Sequence, residues 1–501
     1  MMLIKRNNKL TKEEKKIYKN LTKKQKSFHP LLRTISVAFK NTKFLYLILS
    51  IDVLYNILVG ICDLIVKNEN FFSDSFKTAY YIVHFSLTGI MLIFFILNFI
   101  VSINNIRIEN DIFYVDESKN INKLLEENQI KLSDAYIDSN YEIIHSKNDY
   151  VIMSNEINNY IFNDFSKINL KLLKNKQYLT QNQGSILKKR YEEKKENNTP
   201  FFNGKHIGLR QDLLKEVFKK NNSTLEIQKT DYFCHVVTNQ LIYKSYINRE
   251  GETIISGKRL TFDDNLILRH FSHSSSANML GVSSILITND GKLVIAKQSK
   301  YNDESKNAII PSASGSIDFD DYKNIYKQYK SKSLDKVVKY AALRELKEEL
   351  YLYHNEFEMI SKTIGFGRLI KIGGHPEFFV MTYINQNYET IKSNFNTISN
   401  NLDFENSPKL NNFQKMKLKK CKTFGELNKI YDIDINELSK YNKYINDFNV
   451  FQDKIIKELI YDKCTNNIET PVTMQIIILL YLLIKNDCCS IERIKSVLNI
   501  K

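Results

Sequence analysis

Four charged side chains in residues 335–352, which read DKVVKYAALRELKEELYL, are the ones best suited to chemistry. Leucines at helical spacing predict an amphipathic helix here, and spacings of three and four bring the charged residues together on its other side. They are Arg344, Glu345, Glu348 and Glu349. Three carboxylates on one helix face repel one another unless a cation joins them, and Mg²⁺ or Mn²⁺ takes oxygen ligands in this way. Such an ion bridges phosphate oxygens, although the pattern alone also fits a solvated helix with Glu–Lys pairs.

Strands on both sides of this helix are predicted to hold it in place. Val282–Thr288 and Lys292–Lys297 are two apolar runs joined by an Asn-Asp-Gly turn, which is typical of a β-hairpin. A loop of small residues, 311–318, comes before the helix. Two further runs, Ile364–Ile372 and Glu377–Ile384, are predicted strands after it.

This region resembles the Nudix family, whose box is G-x5-E-x7-R-E-U-x-E-E-x-G-U, where U is a bulky aliphatic residue. Residues 344–352 (RELKEELYL) match the second half of the box, with Tyr351 in the place of its last glycine, and Gly315 stands as the leading glycine. The box places its arginine 14 residues after that glycine, whereas Arg344 follows Gly315 by 29 residues. The first glutamate of the box, counted back from Arg344, falls on Lys336.

The resemblance implies an α+β domain with a Nudix-like α/β/α sandwich, and the pattern of the last hundred residues predicts a helical C-terminal extension to it. It also implies roles for particular residues. Glu345, Glu348 and Glu349 would bind Mg²⁺ or Mn²⁺, and Arg344 would orient them. Gly315 would lie beside the bound cofactor, and Glu377, in a Gly-Gly-His-Pro-Glu segment, would be a further metal ligand.

Two long apolar runs near the N-terminus, residues 44–66 and 79–103, predict a transmembrane hairpin, because each is long enough to cross a hydrocarbon core of about 30 Å. Residues 1–43 hold 13 Lys and Arg and 2 Glu, a net charge of +11 out of +16 for the chain. This basic tail predicts cytoplasmic N- and C-termini in a multi-pass inner-membrane protein that contacts lipid headgroups. A nucleic acid polymer is not expected as a partner, since the rest of the chain is nearly neutral.

The first apolar run carries a polar stripe, since Asp52, Asn56, Gly60 and Asp63 follow spacings of four, four and three. One interpretation is a homo-oligomer interface or the lining of a conducting pathway. The alternative is that Asp63 lies at the membrane interface and that only Asp52 needs a partner. The sequence favours neither.

The remaining chain is predicted to fall into two parts, a mixed connecting region at 104–229 and the Nudix-like domain at 230–501. Asp231–Ile242 is rich in aromatic and β-branched residues, which predicts a strand. Met474–Ile484 is apolar but too short to span a bilayer, which predicts a buried helix.

Two short-looped helices joined to a Nudix-like domain resemble the two-helix membrane effectors of bacterial CBASS anti-phage systems. That resemblance implies an antiviral defence role, in which the cytosolic domain senses a cyclic oligonucleotide and the helices then disrupt the membrane. The alternative is a membrane-tethered, magnesium-dependent Nudix pyrophosphohydrolase. A third interpretation is a scaffold whose Nudix-like fold has lost its ligand.

Overall fold

The computed structural model describes residues 112–146, 149–174, 181–196, 203–219, 223–248, 251–299, 307–353, 357–400, 427–465 and 470–500. The chain divides into two compact units. The first is Met1–Phe113 with Asn248–Ile254, and its described part includes a turn in which Asn248 N donates to Glu252 O at 3.0 Å. The second unit is Tyr114–Ile247 with Ile255–Lys501, and it contains the predicted site.

The predicted fold class and localisation need correction. Within the described residues, no helix is long and apolar enough to cross a membrane, and helices such as Gln181–Glu196 and Leu334–Glu349 reach only 16 residues. The predicted hairpin at 44–103, its polar stripe and the basic tail at 1–43 lie outside the described residues. A multi-pass inner-membrane protein is therefore not supported. The described residues instead form mixed sheets together with α-helices.

The described strands are short to medium in length. They are β1 (Phe113–Asp116), β2 (Tyr141–Ser146), β3 (Asp149–Ser154), β4 (Asn169–Leu172), β5 (Lys205–Leu209), β6 (Thr224–Asp231), β7 (Lys244–Ile247), β8 (Thr253–Ser256), β9 (Gly281–Ile287), β10 (Lys292–Gln298), β11 (Ile309–Ile310), β12 (Ala313–Ser316), β13 (Met359–Leu369), β14 (His375–Ile384) and β15 (Leu427–Asp434).

The described α-helices run from the N-terminal part of the second unit to its C-terminus. They are α1 (Ser118–Glu126), α2 (Asp134–Asp138), α3 (Asn155–Asp164), α4 (Gln181–Glu196), α5 (Lys215–Lys219), α6 (Tyr232–Val236), α7 (Gly257–Thr261), α8 (Phe319–Tyr329), α9 (Leu334–Glu349), α10 (Tyr388–Asn400), α11 (Phe448–Lys454), α12 (Tyr461–Cys464), α13 (Met474–Lys485) and α14 (Ile491–Leu498). A π-helical segment, Ile455–Ile460, joins α11 to α12.

A nine-stranded sheet forms the centre of the second unit. Its order is β11-β10-β9-β14-β13-β3-β2, with β12 also paired to β9 and β15 to β10. Strands β9 and β14 are parallel neighbours, and their other partners are antiparallel. Strands β2 and β3 come from the predicted connecting region, so residues 141–154 share one sheet with the predicted Nudix-like region. A smaller sheet has the order β4-β6-β5.

Helices cover both faces of this sheet because successive strand residues point to opposite sides. Val282 and Phe378 pack into the same core as Val337 and Ala341 of α9. On the other face, the neighbouring strand residues pack into a second core with α13. Helix α13 is apolar on all sides and its residues from Ile476 to Leu483 are buried, which confirms the predicted buried helix.

Local sequence signals gave mixed results around the sheet. The hairpin is confirmed, since β9 and β10 pair antiparallel with Leu293 opposite Ile287. The strand predicted at Asp231–Ile242 is wrong, because Tyr232–Val236 is helical. The reason is a cap: the Asp231 carboxylate accepts from Cys234 N at 2.9 Å and starts the helix despite the β-prone residues that follow.

Candidate functional site

Helix α9 places the predicted charged residues over the sheet. Its buried side includes Val337, Ala341 and Leu346, each with no exposed area. The helix ends at Glu349, and the turn after it takes a left-handed conformation at Tyr351, where φ is +58°. A non-glycine residue in that region costs on the order of 1 kcal/mol or more. Asn394 Nδ2 holds the turn by donating to Tyr351 O at 3.1 Å.

Arg344 is the centre of the charged cluster. Its Nη1 lies 2.9 Å from Glu345 Oε1 and 3.2 Å from Glu348 Oε2. Its Nη2 donates to the backbone oxygen of Ser316 at 2.8 Å and lies 3.9 Å from Asp318 Oδ2. Burial acts to lower the pKa of Arg344, but the surrounding carboxylates outweigh burial and raise the pKa above its ordinary value.

Asp321 is a member of this cluster that the sequence reasoning missed. Its carboxylate accepts from Arg344 Nε at 3.0 Å and from Nη2 at 3.0 Å, and its side chain is only 2% exposed. Burial raises the pKa of Asp321, against the opposing effect of Arg344. The signal was present in the sequence, because Asp321 is six residues after Gly315, the place of the first glutamate of the box. Counting back from Arg344 hid it, because the rest of α8 and the turn after it lengthen the segment between them.

Gly315 allows the helix and strand β12 to approach closely. A Cβ atom at this position would lie 2.2 Å from Cδ of Glu345, well inside van der Waals contact. The neighbouring Ser314 N donates to Glu349 Oε1 at 3.0 Å, so strand β12 also holds the last carboxylate of the helix. The structure thus brings together Gly315, Arg344 and the three glutamates of α9.

Glu377 reaches the sheet from the opposite face. It is in register with Gly281, and Gly281 is in register with Ser316. A Cβ atom on Gly281 would meet Glu377 Oε2 at 1.8 Å, which puts Glu377 on the Cβ side of Gly281 and Ser316. Gly315 is the next residue and faces the other way, toward Glu345. The structure therefore does not bring Glu377 to the carboxylates of α9.

Glu377 has its own buried partners. Ser283 Oγ donates to its Oε1 at 2.6 Å, and His375 Nε2 lies 3.3 Å from Oε2. The ring of His375 contacts that of His235 edge to face, with centroids 5.2 Å apart. Burial lowers the pKa of His235 well below its ordinary value, with His375 adding to the effect. These groups form a packed polar layer inside the protein.

The suitability of the site for a cation rests on its donor chemistry. Within the described ranges, no group of three or more His, Cys, Asp or Glu side chains is arranged to hold a metal ion. The residues that would hold Mg²⁺ or Mn²⁺ are Glu345 and Glu348. Both carboxylates contact Nη1 of Arg344, so they lie close to each other. Carboxylate oxygens are donors that suit these ions. No family model matches the chain, and no curated protein matches it either.

Proposed function

We propose that this protein recognises a nucleotide through its phosphate groups, with a divalent cation bound by Glu345 and Glu348 joining the protein to the phosphates. One observation carries the proposal. Four carboxylates, those of Asp318, Asp321, Glu345 and Glu348, lie within 4 Å of the single guanidinium of Arg344. These five groups carry a formal charge of −3 when ionised, and a divalent cation would offset the repulsion.

The exposure of the carboxylates divides the cluster into two parts with different roles. Asp321 is almost fully buried and pairs with Arg344, which suits it to hold the guanidinium in place. Asp318 is 38% exposed and Glu348 is 27% exposed, so these are the carboxylates that solvent and a ligand reach most easily. A cation at Glu345 and Glu348 would therefore face outward, where it would meet a phosphate.

Recognition is favoured over turnover by the positions of the other two carboxylates. Glu349 is engaged by the backbone of Ser314, and Glu377 lies on the opposite face of the sheet. A hydrolase of this type needs a group to activate water. Glu349 lies one helical turn from Glu345, but its Oε1 accepts from Ser314 N, and Glu377 is on the far side of the sheet. The resemblance to the antiviral effectors suggests the ligand class, a cyclic oligonucleotide. Sensing further requires that the ligand bind one conformation of the protein more tightly than another.

The second candidate is a magnesium-dependent hydrolase of nucleoside diphosphate compounds. It is favoured by the arrangement of Arg344 and the glutamates on α9, which keeps the R-E-x-x-E-E part of the Nudix box on one helix. The two candidates differ in one observable: a sensor leaves its ligand intact, and a hydrolase does not.

The test uses the full-length chain in equilibrium dialysis against labelled cyclic dinucleotides and trinucleotides, with Mg²⁺, with Mn²⁺ and with a chelator. We expect cation-dependent binding that falls at least tenfold in the variant carrying Glu345→Gln and Glu348→Gln. Glu358→Gln is the matched control, because Glu358 is exposed and lies away from the cluster, before β13. Chromatography of the same samples, and of nucleoside diphosphate compounds, reports turnover. Cation-dependent turnover that the double variant loses would establish the hydrolase, and neither binding nor turnover would refute both candidates.

A further inference from the structure

A chain of three side chains, unrelated to the Arg344 cluster, runs from the protein surface into a buried charge. Ser133 Oγ lies 2.6 Å from His270 Nε2, and His270 Nδ1 lies 3.1 Å from Asp212 Oδ2. The residues come from three separate parts of the sequence, since Ser133 and His270 differ by 137 in residue number and His270 and Asp212 by 58. Their order and spacing are those of a serine nucleophile, a base and an orienting carboxylate.

The hydrogen bonds determine which nitrogen of His270 carries the proton. A carboxylate only accepts hydrogen bonds, so His270 Nδ1 is the donor to Asp212. In the neutral ring, Nε2 then has a free lone pair and accepts from the Ser133 hydroxyl. This is the tautomer in which a histidine can take the proton of a serine.

Ser133 contacts His270 instead of capping the helix that follows it. It is the N-cap residue of α2, a position where a serine side chain ordinarily accepts from a backbone N–H of the first turn. Its side chain makes no such bond. By contrast, Ser490, the N-cap residue of α14, accepts from Arg493 N at 3.2 Å. The Ser133 hydroxyl is therefore directed to His270 instead of to its own helix.

His270 and Asp212 have further contacts that hold them in position. The ring of Tyr136 stacks on that of His270 with centroids 5.0 Å apart. Asp212 also accepts from Tyr136 Oη and from Phe271 N, the latter at 3.0 Å, and lies 3.4 Å from Arg368 Nη1. Asp212 is 4% exposed, whereas His270 is 23% exposed and Ser133 is half-buried. Asp212 is therefore held by several partners, whereas the serine end of the chain is partly exposed to solvent.

We propose that Ser133 is a nucleophile for acyl transfer, with His270 as its general base and Asp212 as the positioning residue, and that the substrate class is a carboxylic ester. Ser133 Oγ attacks the carbonyl carbon and its proton passes to His270 Nε2. The bond from carbon to the leaving oxygen then breaks, and that proton goes to the leaving alcohol. Water then attacks the acyl-serine while its proton passes to His270 Nε2. The bond from the acyl carbon to Ser133 Oγ breaks, His270 returns the proton to Oγ, and the carboxylic acid leaves. The proposal shares no residue with the nucleotide site and does not depend on it.

The first test is covalent labelling of the full-length protein with a fluorophosphonate probe. In this reaction the serine oxygen displaces fluoride from phosphorus, so a stable adduct marks the nucleophile. We expect mass spectrometry to place the adduct on Ser133, and we expect at least a hundredfold slower labelling in His270→Gln. Ser490→Ala is the matched control and should label at the wild-type rate. No adduct on Ser133, or labelling that does not depend on His270, would overturn the proposal.

The second test measures hydrolysis of p-nitrophenyl acetate. Ser133→Ala should lose the protein-dependent rate, and Ser490→Ala should keep it. Circular dichroism of each variant shows whether it is folded. The site of the fluorophosphonate adduct is determined on the wild-type protein, so that result does not depend on the folding of any variant. Hydrolysis that persists in a folded Ser133→Ala protein would overturn the assignment of Ser133.

Discussion

Replacing Arg344 by methionine tests whether this guanidinium neutralises a buried carboxylate. In Arg344→Met, Asp321 stays in place with a side chain that is 2% exposed, and it loses two hydrogen bonds of 3.0 Å from the guanidinium. Removing one partner of a buried ion pair typically costs about 3–5 kcal/mol, because the remaining charge is buried without compensation. We expect a loss of this size in the free energy of unfolding.

A second substitution isolates the cause of this loss. Asp321→Asn removes the charge but keeps an oxygen that accepts from Asp318 N, a bond of 2.9 Å in the capping box of α8. The double variant, Arg344→Met with Asp321→Asn, should therefore recover most of the stability and lie within about 1–2 kcal/mol of the wild type. Acid should have a similar effect on the single variant. Burial already raises the pKa of Asp321, so protonating it as the pH falls relieves the buried charge.

Urea denaturation followed by circular dichroism is the suitable assay, because the chain has no tryptophan to report by fluorescence. The control is Lys454→Met, which removes an exposed ion pair of 2.6 Å with Glu458. Exposed helical pairs contribute about 0.3–0.5 kcal/mol, so this variant should be nearly neutral. The reasoning fails if Arg344→Met costs no more than the control, or if the double variant is as unstable as the single one.

Three further substitutions give distinct outcomes. Gly315→Ala places a Cβ atom 2.2 Å from Cδ of Glu345 and should lower the free energy of unfolding by about 1–3 kcal/mol, as measured by urea denaturation. Gly184→Ala, on helix α4 with no atom within 4 Å of the new Cβ, should instead be neutral or stabilising by about 0.5–1 kcal/mol, and equal losses in both variants would contradict the steric argument. Burial raises the pKa of Asp149 from its ordinary 3.8 to about 6. A raised pKa favours folding below about pH 4, and this advantage disappears as the pH rises through about 6. Asp149→Asn should therefore stabilise the protein by about 1–3 kcal/mol at pH 7.5 and change little at pH 4, and the same effect at both pH values would rule out the ionised carboxylate as the cause.

The membrane hairpin and the inner-membrane localisation were predicted from residues outside the described ranges. Among the described residues no helix is long and apolar enough to cross a membrane, so these predictions are corrected. The nucleotide-binding role and the Nudix resemblance stay predictions, and the dialysis experiment tests them without reference to a membrane.

Local patterns in the sequence determined several elements of the fold. The Asn-Asp-Gly turn predicted the β9–β10 hairpin, and helical spacing predicted α9 and the group of charges along it. These features depend on residues within a few positions of one another, so they can be predicted from the local sequence alone. The same reasoning failed at Tyr232–Val236, where one capping bond from Asp231 outweighed β-propensity.

Only the tertiary structure decided which distant side chains meet. Glu377 and Glu345 reach the sheet from opposite faces, which depends on the register of β14, β9 and β12 and on the alternation of side chains along each strand. Asp321 reaches Arg344 because α8 folds back against α9 across 23 positions of sequence. Ser133 and His270 meet across 137 positions, and no pattern within either segment indicates the other. The sequence thus determined which local elements carry charge, and packing of the sheet and helices determined which of those charges act together.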